Sequence, residues 1–379
     1  MSGLEPAIAA AVRAAAPYAT AITVAVTRGD REEVRCHGRL AREADAPPCT
    51  PDTVFELGSV SKTFTALLLA GMAASGELAL ADPVERHLPA GWRPATVRSH
   101  SRSRSRSGSR PQSQSWSQSQ SWSQSQSWSR SGSPETIRLL HLATHTSGLP
   151  RLPPGLLAGA VPTWLSNPYA AFGDQQLRDG LARTTVRCEP GSRYGYSNYG
   201  VGLLGRLLAE AGGLPYEELL ADRVCKPLGL RATTCAPDAL HPAIGYHRGR
   251  ALPPWRIPGL PGAGAVRSSG ADLLHYLRCH LPGRDGSLNA ALRDVQQLRL
   301  RLPHSDDRLG LVWTNRRSGG RDLYFHSGGT RGFTAFVGFA PADSAAVAVL
   351  ANTAPALDGR LVQAAYEVLR TAAGCRTGH

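Results

Sequence analysis

Ser59 and Lys62 stand three residues apart, at the predicted start of a helix. That spacing places a hydroxyl and an amine one helical turn apart on the same side of the chain. A serine hydroxyl becomes a good nucleophile only when a base takes its proton, and a partly buried lysine can be that base whereas arginine cannot. The chain has 42 basic residues but only two lysines, Lys62 and Lys226. The pair predicts a nucleophilic serine with an amine base, although a Ser-x-x-Lys spacing alone can arise by chance.

Tyr196 and Asn198 form a second candidate group, in a segment that follows the Glu189-Pro190-Gly191 turn and precedes a predicted helix. A tyrosine close to two cations loses its proton more easily, and an asparagine amide can both donate to and accept from a substrate amide. The structural alternative is that Tyr196 only packs and that Asn198 caps the helix. This segment by itself leaves both interpretations open.

The third candidate group is His326-Ser327-Gly328-Gly329, at the end of a predicted strand. Glycines at that place allow a substrate backbone to lie against the strand edge, and a backbone N–H can point at an oxyanion. A lone His-x-Gly would carry little information. Its value lies in its position downstream of the other two groups.

Together and in this order, the three groups resemble the active-site motifs of the serine β-lactamase and penicillin-binding-protein superfamily, in its class C β-lactamase-related branch. The resemblance covers most of the chain outside residues 98–133. Further matching segments are Leu142–Pro150, Glu189–Gly191 and Pro227–Leu230.

The resemblance implies a role for each residue. Ser59 is then the acylated nucleophile, and Lys62 and Tyr196 share the proton transfers of acylation and deacylation. Asn198 holds the amide side chain of the substrate. The backbone N–H groups of Ser59 and Gly329 form the oxyanion hole.

His326 departs from the Lys-Thr-Gly motif of true class C β-lactamases, because it takes the place of the lysine while Gly328 is kept. An imidazole is mostly neutral at pH 7, so the site lacks a permanent cation for a β-lactam or peptide carboxylate. The resemblance associates His-x-Gly with D-Ala-D-Ala carboxypeptidases, D-aminopeptidases and esterases. We therefore expect a hydrolase that forms an acyl-enzyme on an ester, a D-amino-acid peptide or, slowly, a β-lactam.

Two other functions remain open for the same site. An acyltransferase would pass the Ser59 acyl group to a second nucleophile instead of water. A β-lactam- or peptide-sensing protein would be acylated once without turnover. The residues that line the pocket determine which acyl acceptor can bind, and the motifs do not identify those residues.

The elements that must position these groups are β-rich at both chain ends. A hairpin is predicted from Thr20–Thr27 and Glu33–His37, and three strands from Leu323–His326, Thr334–Phe339 and Ala345–Ala351. Helices are predicted over Pro6–Ala16, Ser61–Ala74, Leu139–Leu149, a segment around 201–208 and Leu357–Ala373. The expected fold is α+β and β-lactamase/transpeptidase-like, with an antiparallel sheet built from both ends and flanked by helices. The predicted α/β region is 1–62 with 255–379, and the mostly helical region is 63–254.

Residues 98–133 differ in composition from the rest of the chain, because Arg-Ser dipeptides give way to Trp-Ser-Gln-Ser repeats with Trp116, Trp122 and Trp128 six residues apart. Such a tract cannot bury enough apolar surface to offset chain entropy, which predicts a disordered insertion. An Arg/Ser-type RNA-binding segment is the alternative.

Composition limits which other functional classes the chain can belong to. The net charge of +13 includes six arginines of the 98–133 tract, and the rest is too diffuse for a nucleic-acid groove. We see no secretory signal and no apolar run long enough for a membrane span, so a cytoplasmic location is expected. Seven cysteines without ligand spacing fit reduced thiols, and His141 and His145 fit structural roles better than metal binding. We expect no metal, no cofactor, a small-molecule or peptide substrate, and a monomer.

Overall fold

The computed structural model describes residues 2–98, 136–160, 163, 165–238, 241–247, 249–283 and 286–375. From residue 99 onward, the predicted disordered insertion lies outside the described residues. The helices are α1 (Glu5–Ala15), α2 (Ser61–Ala74), α3 (Leu139–Ala143), α4 (Leu156–Gly159), α5 (Asp174–Arg183), α6 (Asn198–Gly212), α7 (Tyr216–Leu220), α8 (Pro261–Gly264), α9 (Gly270–Arg278), α10 (Asn289–Asp294) and α11 (Arg360–Ala372). The strands are β1 (Ala21–Arg28), β2 (Arg31–Gly38), β3 (Val54–Glu56), β4 (Thr96–Val97), β5 (Thr185–Val186), β6 (Tyr246–His247), β7 (Arg250–Ala251), β8 (Arg267–Ser269), β9 (Leu300–Arg301), β10 (Arg308–Leu309), β11 (Thr314–Ser318), β12 (Arg321–Gly329), β13 (Thr334–Ala340) and β14 (Ala345–Ala351).

An antiparallel sheet of eight strands forms the frame, in the order β2-β1-β14-β13-β12-β11-β10-β9. Its strands come from both chain ends, and most of the helices lie between these ends in the sequence. This arrangement confirms the predicted fold class. The predicted boundaries of the two regions stay a prediction.

Both faces of the sheet are covered, which explains why β13 and β14 are buried at every residue and almost entirely apolar instead of alternating. Val347 and Val349 pack on one face against α1 and α11. Ala348 and Leu350 point to the other face, in the larger core that includes α2 and α9. The sheet is therefore buried on both faces, and the Gly58–Val60 turn that precedes α2 packs against β12 and β13.

Three predicted boundaries were wrong. The helix predicted from Leu357 begins at Arg360, after Gly359 with its left-handed φ of 62°. The helix predicted over Leu139–Leu149 ends at Ala143, because the Thr144 hydroxyl bonds back to the Leu140 carbonyl and His145 takes a left-handed φ of 56°. Strand β12 continues past His326 to Gly329, since it stays paired with β13 over that length. Within the described residues, no helix is both long and apolar enough to cross a bilayer.

Candidate active site

Ser59 lies in a single 3-10 turn, Gly58–Val60, that leads from β3 into α2. Helix α2 is buried on almost every side, and Lys62 in its first turn is 0% exposed. The Lys62 ammonium Nζ donates to Ser59 Oγ at 2.9 Å and to the Ala263 carbonyl at 2.7 Å. The predicted Ser59–Lys62 contact is therefore present, and the Ala263 carbonyl of α8 also holds the amine.

Tyr196 reaches the same oxygen from the chain segment before α6. Its hydroxyl donates to Ser59 Oγ at 2.9 Å. The phenol ring lies 4.5 Å from the His145 ring, and the Arg151 guanidinium lies 5.2 Å from the phenol centroid. Packing of Tyr196 and its contact with Ser59 thus occur together, and they are not alternatives.

Lys62 and Tyr196 change each other's acidity. Burial, with a smaller contribution from Arg151, lowers the pKa of Lys62, while Tyr196 opposes this shift. Burial alone would raise the pKa of Tyr196, but the Lys62 charge, the hydrogen bond with Ser59 and Arg151 together lower it. Each charged form favours the other, and the lowered pKa values make both groups better able to exchange a proton with Ser59 Oγ.

The end of β12 packs directly against the Ser59 turn, and only glycine permits this approach. A Cβ on Gly328 would lie 2.0 Å from the Leu57 carbonyl oxygen and 2.8 Å from the Ser59 nitrogen. A Cβ on Gly58, whose φ is +50°, would lie 2.7 Å from the Gly329 nitrogen. The backbones of Ser59 and Gly329 are therefore neighbours, as an oxyanion hole between their N–H groups requires.

His326 is a buried, neutral imidazole. Its Nδ1 lies 2.8 Å from the Ser327 carbonyl, which fixes Nδ1 as the protonated nitrogen and leaves Nε2 as an acceptor. Burial, and then the nearby Lys62 charge, lower its pKa to about 3. The third motif therefore supplies no positive charge at neutral pH.

Asn198 is the first residue of α6 and lies in the same site as Ser59. Its amide nitrogen donates to the Tyr169 hydroxyl at 3.1 Å, whereas its buried Oδ1 has no hydrogen-bond partner among the described residues. The proposal that it caps the helix was wrong, because the Ser197 hydroxyl accepts from the Gly200 N–H at 2.8 Å and fills that role. A carbonyl oxygen without a partner can accept a substrate N–H.

A cavity of about 200 Å³ opens beside Ser59, lined by Gly58, Ser59, Tyr169, Asn198, Trp255, Ile257, Ala263, Gly264, Gly329, Thr330 and Arg331. Ser59, Asn198 and Gly329 thus share one cavity. Lys62, Tyr196, His326 and Gly328 are not among its lining residues.

Glu56 is a residue that the sequence reasoning missed. Its carboxylate accepts from the Trp255 N–H at 2.7 Å and from the Thr330 hydroxyl at 2.8 Å, and it lies 3.6 Å from the Arg267 guanidinium. Burial raises its pKa despite these three partners. The signal in the sequence was an acid in the apolar Phe55-Glu56-Leu57 run, where an unpaired charge would be costly.

His141 and His145 were set aside as structural residues. Among the described residues, no group of three or more His, Cys, Asp or Glu side chains could hold a metal ion. His145 Nδ1 accepts from the Ser197 N–H at 3.2 Å, and burial, the Lys62 charge and His326 hold its pKa well below the usual range. It is a neutral support beneath Tyr196.

Comparison with known proteins gives the family. The Beta-lactamase family model matches residues 12–371. The chain belongs to the beta-lactamase family. This beta-lactamase family member is 25% identical, over 353 residues, to the D-alanyl-D-alanine-carboxypeptidase/endopeptidase AmpH of Escherichia coli (strain K12), covering 89% of the chain and 80% of AmpH. It is 28% identical, over 264 residues, to a beta-lactamase of Pseudomonas fluorescens, covering 69% of the chain and 59% of that protein.

A solved structure supports the same fold for this beta-lactamase family chain. The beta-lactamase/D-alanine carboxypeptidase from Yersinia pestis superimposes with a TM-score of 0.72 at 22% identity, covering 96% of the chain and 97% of that structure. Family membership makes the chain a serine hydrolase.

Proposed function

We propose that the chain hydrolyses small esters and D-amino-acid peptides through an acyl-enzyme on Ser59, and that it turns over β-lactams only slowly. The contact of Ser59 Oγ with both Lys62 Nζ and Tyr196 Oη, each at 2.9 Å, carries this proposal. A nucleophile in contact with an amine and a phenol whose pKa values are both lowered has what acylation and deacylation both need.

In acylation, Ser59 Oγ attacks the substrate carbonyl carbon and its proton passes to the Lys62–Tyr196 pair. The N–H groups of Ser59 and Gly329 stabilise the oxyanion that forms. When the tetrahedral intermediate collapses, the Tyr196 hydroxyl gives a proton to the leaving oxygen or nitrogen. The acyl group stays on Ser59 and the leaving group departs neutral.

In deacylation, a water molecule attacks the acyl carbon and the same pair takes the water proton. Collapse breaks the bond to Ser59 Oγ, which regains its proton from the pair. The Ala263 carbonyl, 2.7 Å from Nζ, keeps the amine in place through both half-reactions.

The third motif supports esters and D-peptides over β-lactams. His326, with a pKa of about 3, offers no cation to a leaving-group carboxylate at neutral pH. The similarity to AmpH, a D-alanyl-D-alanine carboxypeptidase and endopeptidase, favours a D-amino-acid peptide as one natural substrate. The similarity to beta-lactamases supports some acylation of Ser59 by β-lactams.

Intact-protein mass spectrometry tests the proposal. Wild type and Ser59→Ala are exposed to a fluorophosphonate and to a penicillin, and we expect one adduct on wild type and none on the variant. Equal labelling of both proteins would disprove the role of Ser59. Steady release of 4-nitrophenol from 4-nitrophenyl acetate after the burst is expected, whereas a burst alone would indicate a protein that is acylated once.

Product analysis separates hydrolysis from acyl transfer. With a simple alcohol or primary amine present, we expect the free acid to remain the main product. A dominant acylated alcohol or amine would replace hydrolase by acyltransferase.

A further inference from the structure

Cys36 and Cys49 lie together on one face of the sheet, although a mostly exposed loop separates them in the sequence. Cys36 is on the edge strand β2, directly opposite Thr23 of β1, and packs against the larger core. Cys49 belongs to that core, and its N–H donates to the Gly38 carbonyl of β2 at 2.9 Å. The loop therefore folds back along the end of β2 and brings the second cysteine to the first.

The Thr23 hydroxyl contacts both sulfur atoms. Its Oγ1 lies 3.7 Å from Cys36 Sγ and 3.4 Å from Cys49 Sγ. The two thiols also hydrogen-bond to each other. Cysteines that are widely separated can form a disulfide only if the backbone moves, whereas these two side chains already meet.

Cys49 is the more acidic thiol of the two. The hydrogen bond with Cys36 is the main cause that lowers its pKa, and Thr23, Thr53 and the His37 backbone act in the same direction against burial. The same hydrogen bond raises the pKa of Cys36, which keeps its proton. Because the thiolate and not the thiol is the nucleophile in cysteine oxidation, Cys49 is the residue that can react first.

A small oxidant has access to this pair. Cys36 is half-buried on an edge strand, and Cys49 keeps 8% of its surface exposed. Hydrogen peroxide is close to water in size, so it can enter where a bulky reagent cannot.

We propose that Cys36 and Cys49 form a redox modification site, which hydrogen peroxide converts into an intramolecular disulfide. The Cys49 thiolate attacks one peroxide oxygen, the O–O bond breaks, and a sulfenic acid and hydroxide form. The Cys36 sulfur then attacks the Cys49 sulfur, and the S–O bond breaks as the disulfide forms. The protons that the two thiols lose convert both hydroxides to water, so the sulfurs are oxidised and the peroxide is reduced. A dithiol reductant reverses the bond by exchange.

This bond fastens the chain that leads into the active site. Cys49 precedes β3, and β3 leads into the turn that carries Ser59. The disulfide ties the start of that segment to β2. Its formation uses no group that transfers protons to or from Ser59, so the inference is independent of the proposed hydrolase function.

Peptide mapping of the full-length protein tests the proposal. Reduced wild type is treated with equimolar hydrogen peroxide, its remaining thiols are blocked with N-ethylmaleimide in urea, and trypsin digestion follows without reductant. Trypsin cuts after Arg39 and Arg42, which lie between the two cysteines, so Cys36 and Cys49 fall on different peptides. We expect peptides 36–39 and 43–62 to be joined, with the loss of two hydrogen atoms, and to separate in dithiothreitol.

Two single variants identify the role of each thiol. Cys36→Ser lacks the second thiol, so oxidation should stop at the Cys49 sulfenic acid, which dimedone traps. Cys188 is another half-buried cysteine, and Cys188→Ser should form the linked peptides as wild type does.

Blocking of both Cys36 and Cys49 by N-ethylmaleimide after peroxide treatment would overturn the proposal. A bond from either residue to a different cysteine, or loss of the linked peptides in Cys188→Ser, would also overturn it. Peroxide treatment in urea is the last control. An equal yield of linked peptides there would mean that closeness along the chain forms the bond, and not the folded site.

Discussion

The hydroxyl of Thr330 donates a 2.8 Å hydrogen bond to the buried carboxylate of Glu56, 274 residues earlier in the chain. The same carboxylate holds the Trp255 backbone, and Arg267 lies beside it. Trp255 and Thr330 line the cavity, and Glu56 ends the strand that leads to Ser59. One side chain therefore ties two cavity walls to the nucleophile turn.

Glu56→Gln should destabilise the protein. The carboxamide has one acceptor oxygen in place of two and no charge, so the buried Arg267 guanidinium loses its ion-pair partner and the Thr330 hydroxyl must turn to accept from the new amide N–H, at a cost of about 1–3 kcal/mol. We expect the free energy of unfolding in urea to fall by that amount. Glu77→Gln, which removes an exposed ion pair with Arg223, is the control and should cost below about 1 kcal/mol. Equal effects of the two substitutions would contradict the role of Glu56.

Lys62→Arg should slow acylation about 10²–10⁴-fold, because arginine keeps its proton and cannot act as the base. The rate of adduct formation with a penicillin or fluorophosphonate, followed by intact mass, measures it. The second lysine provides a matched control: Lys226 is exposed and paired with Asp222, and Lys226→Arg should acylate at the wild-type rate. Full activity of Lys62→Arg would exclude proton transfer by Lys62.

Gly328→Ala should separate β12 from the nucleophile turn. The added Cβ would lie 2.0 Å from the Leu57 carbonyl oxygen, and both partners are backbone, so the strand must move. Overpacking of this kind costs about 1–3 kcal/mol, and the oxyanion hole widens with it. We expect a lower Tm together with a lower kcat for ester hydrolysis. Gly159→Ala, where a Cβ meets nothing within 4 Å, should change neither.

Acid should weaken the fold through His280. This imidazole lies among the rings of Tyr276, Trp313 and Phe339, and burial lowers its pKa to about 4. Between pH 6.5 and about 4 the unfolded chain binds a proton at this residue and the folded chain does not. The free energy of unfolding therefore falls with decreasing pH, by roughly 1.4 kcal/mol per pH unit from this residue.

Urea unfolding at several pH values checks that slope. His280→Phe should flatten it by the stated amount, whereas His275→Phe, at an exposed position of helix α9 five residues earlier, should leave it unchanged. The same slope in all three proteins would show that His280 titrates normally.

Local pattern was enough to predict the hairpin, α2 and the three C-terminal strands, because each signal lies within one element. The apolar run of β14 and the helical spacing of α2 are of this kind. The end of α3 was predicted wrongly, since the left-handed backbone at His145 brings its ring under Tyr196, a contact between segments about 50 residues apart.

The sequence by itself determined the residue types and the order of the three motifs, and hence the family and the nucleophile–base pair one turn apart. Tertiary structure alone decided what surrounds that pair. Ser59 and Tyr196 meet across 137 residues, and Glu56 joins Trp255 and Thr330. The physical reason is the sequence distance between the residues in contact. A helical turn fixes the relative position of residues three apart, whereas contacts between distant segments depend on how the whole sheet and its helices pack.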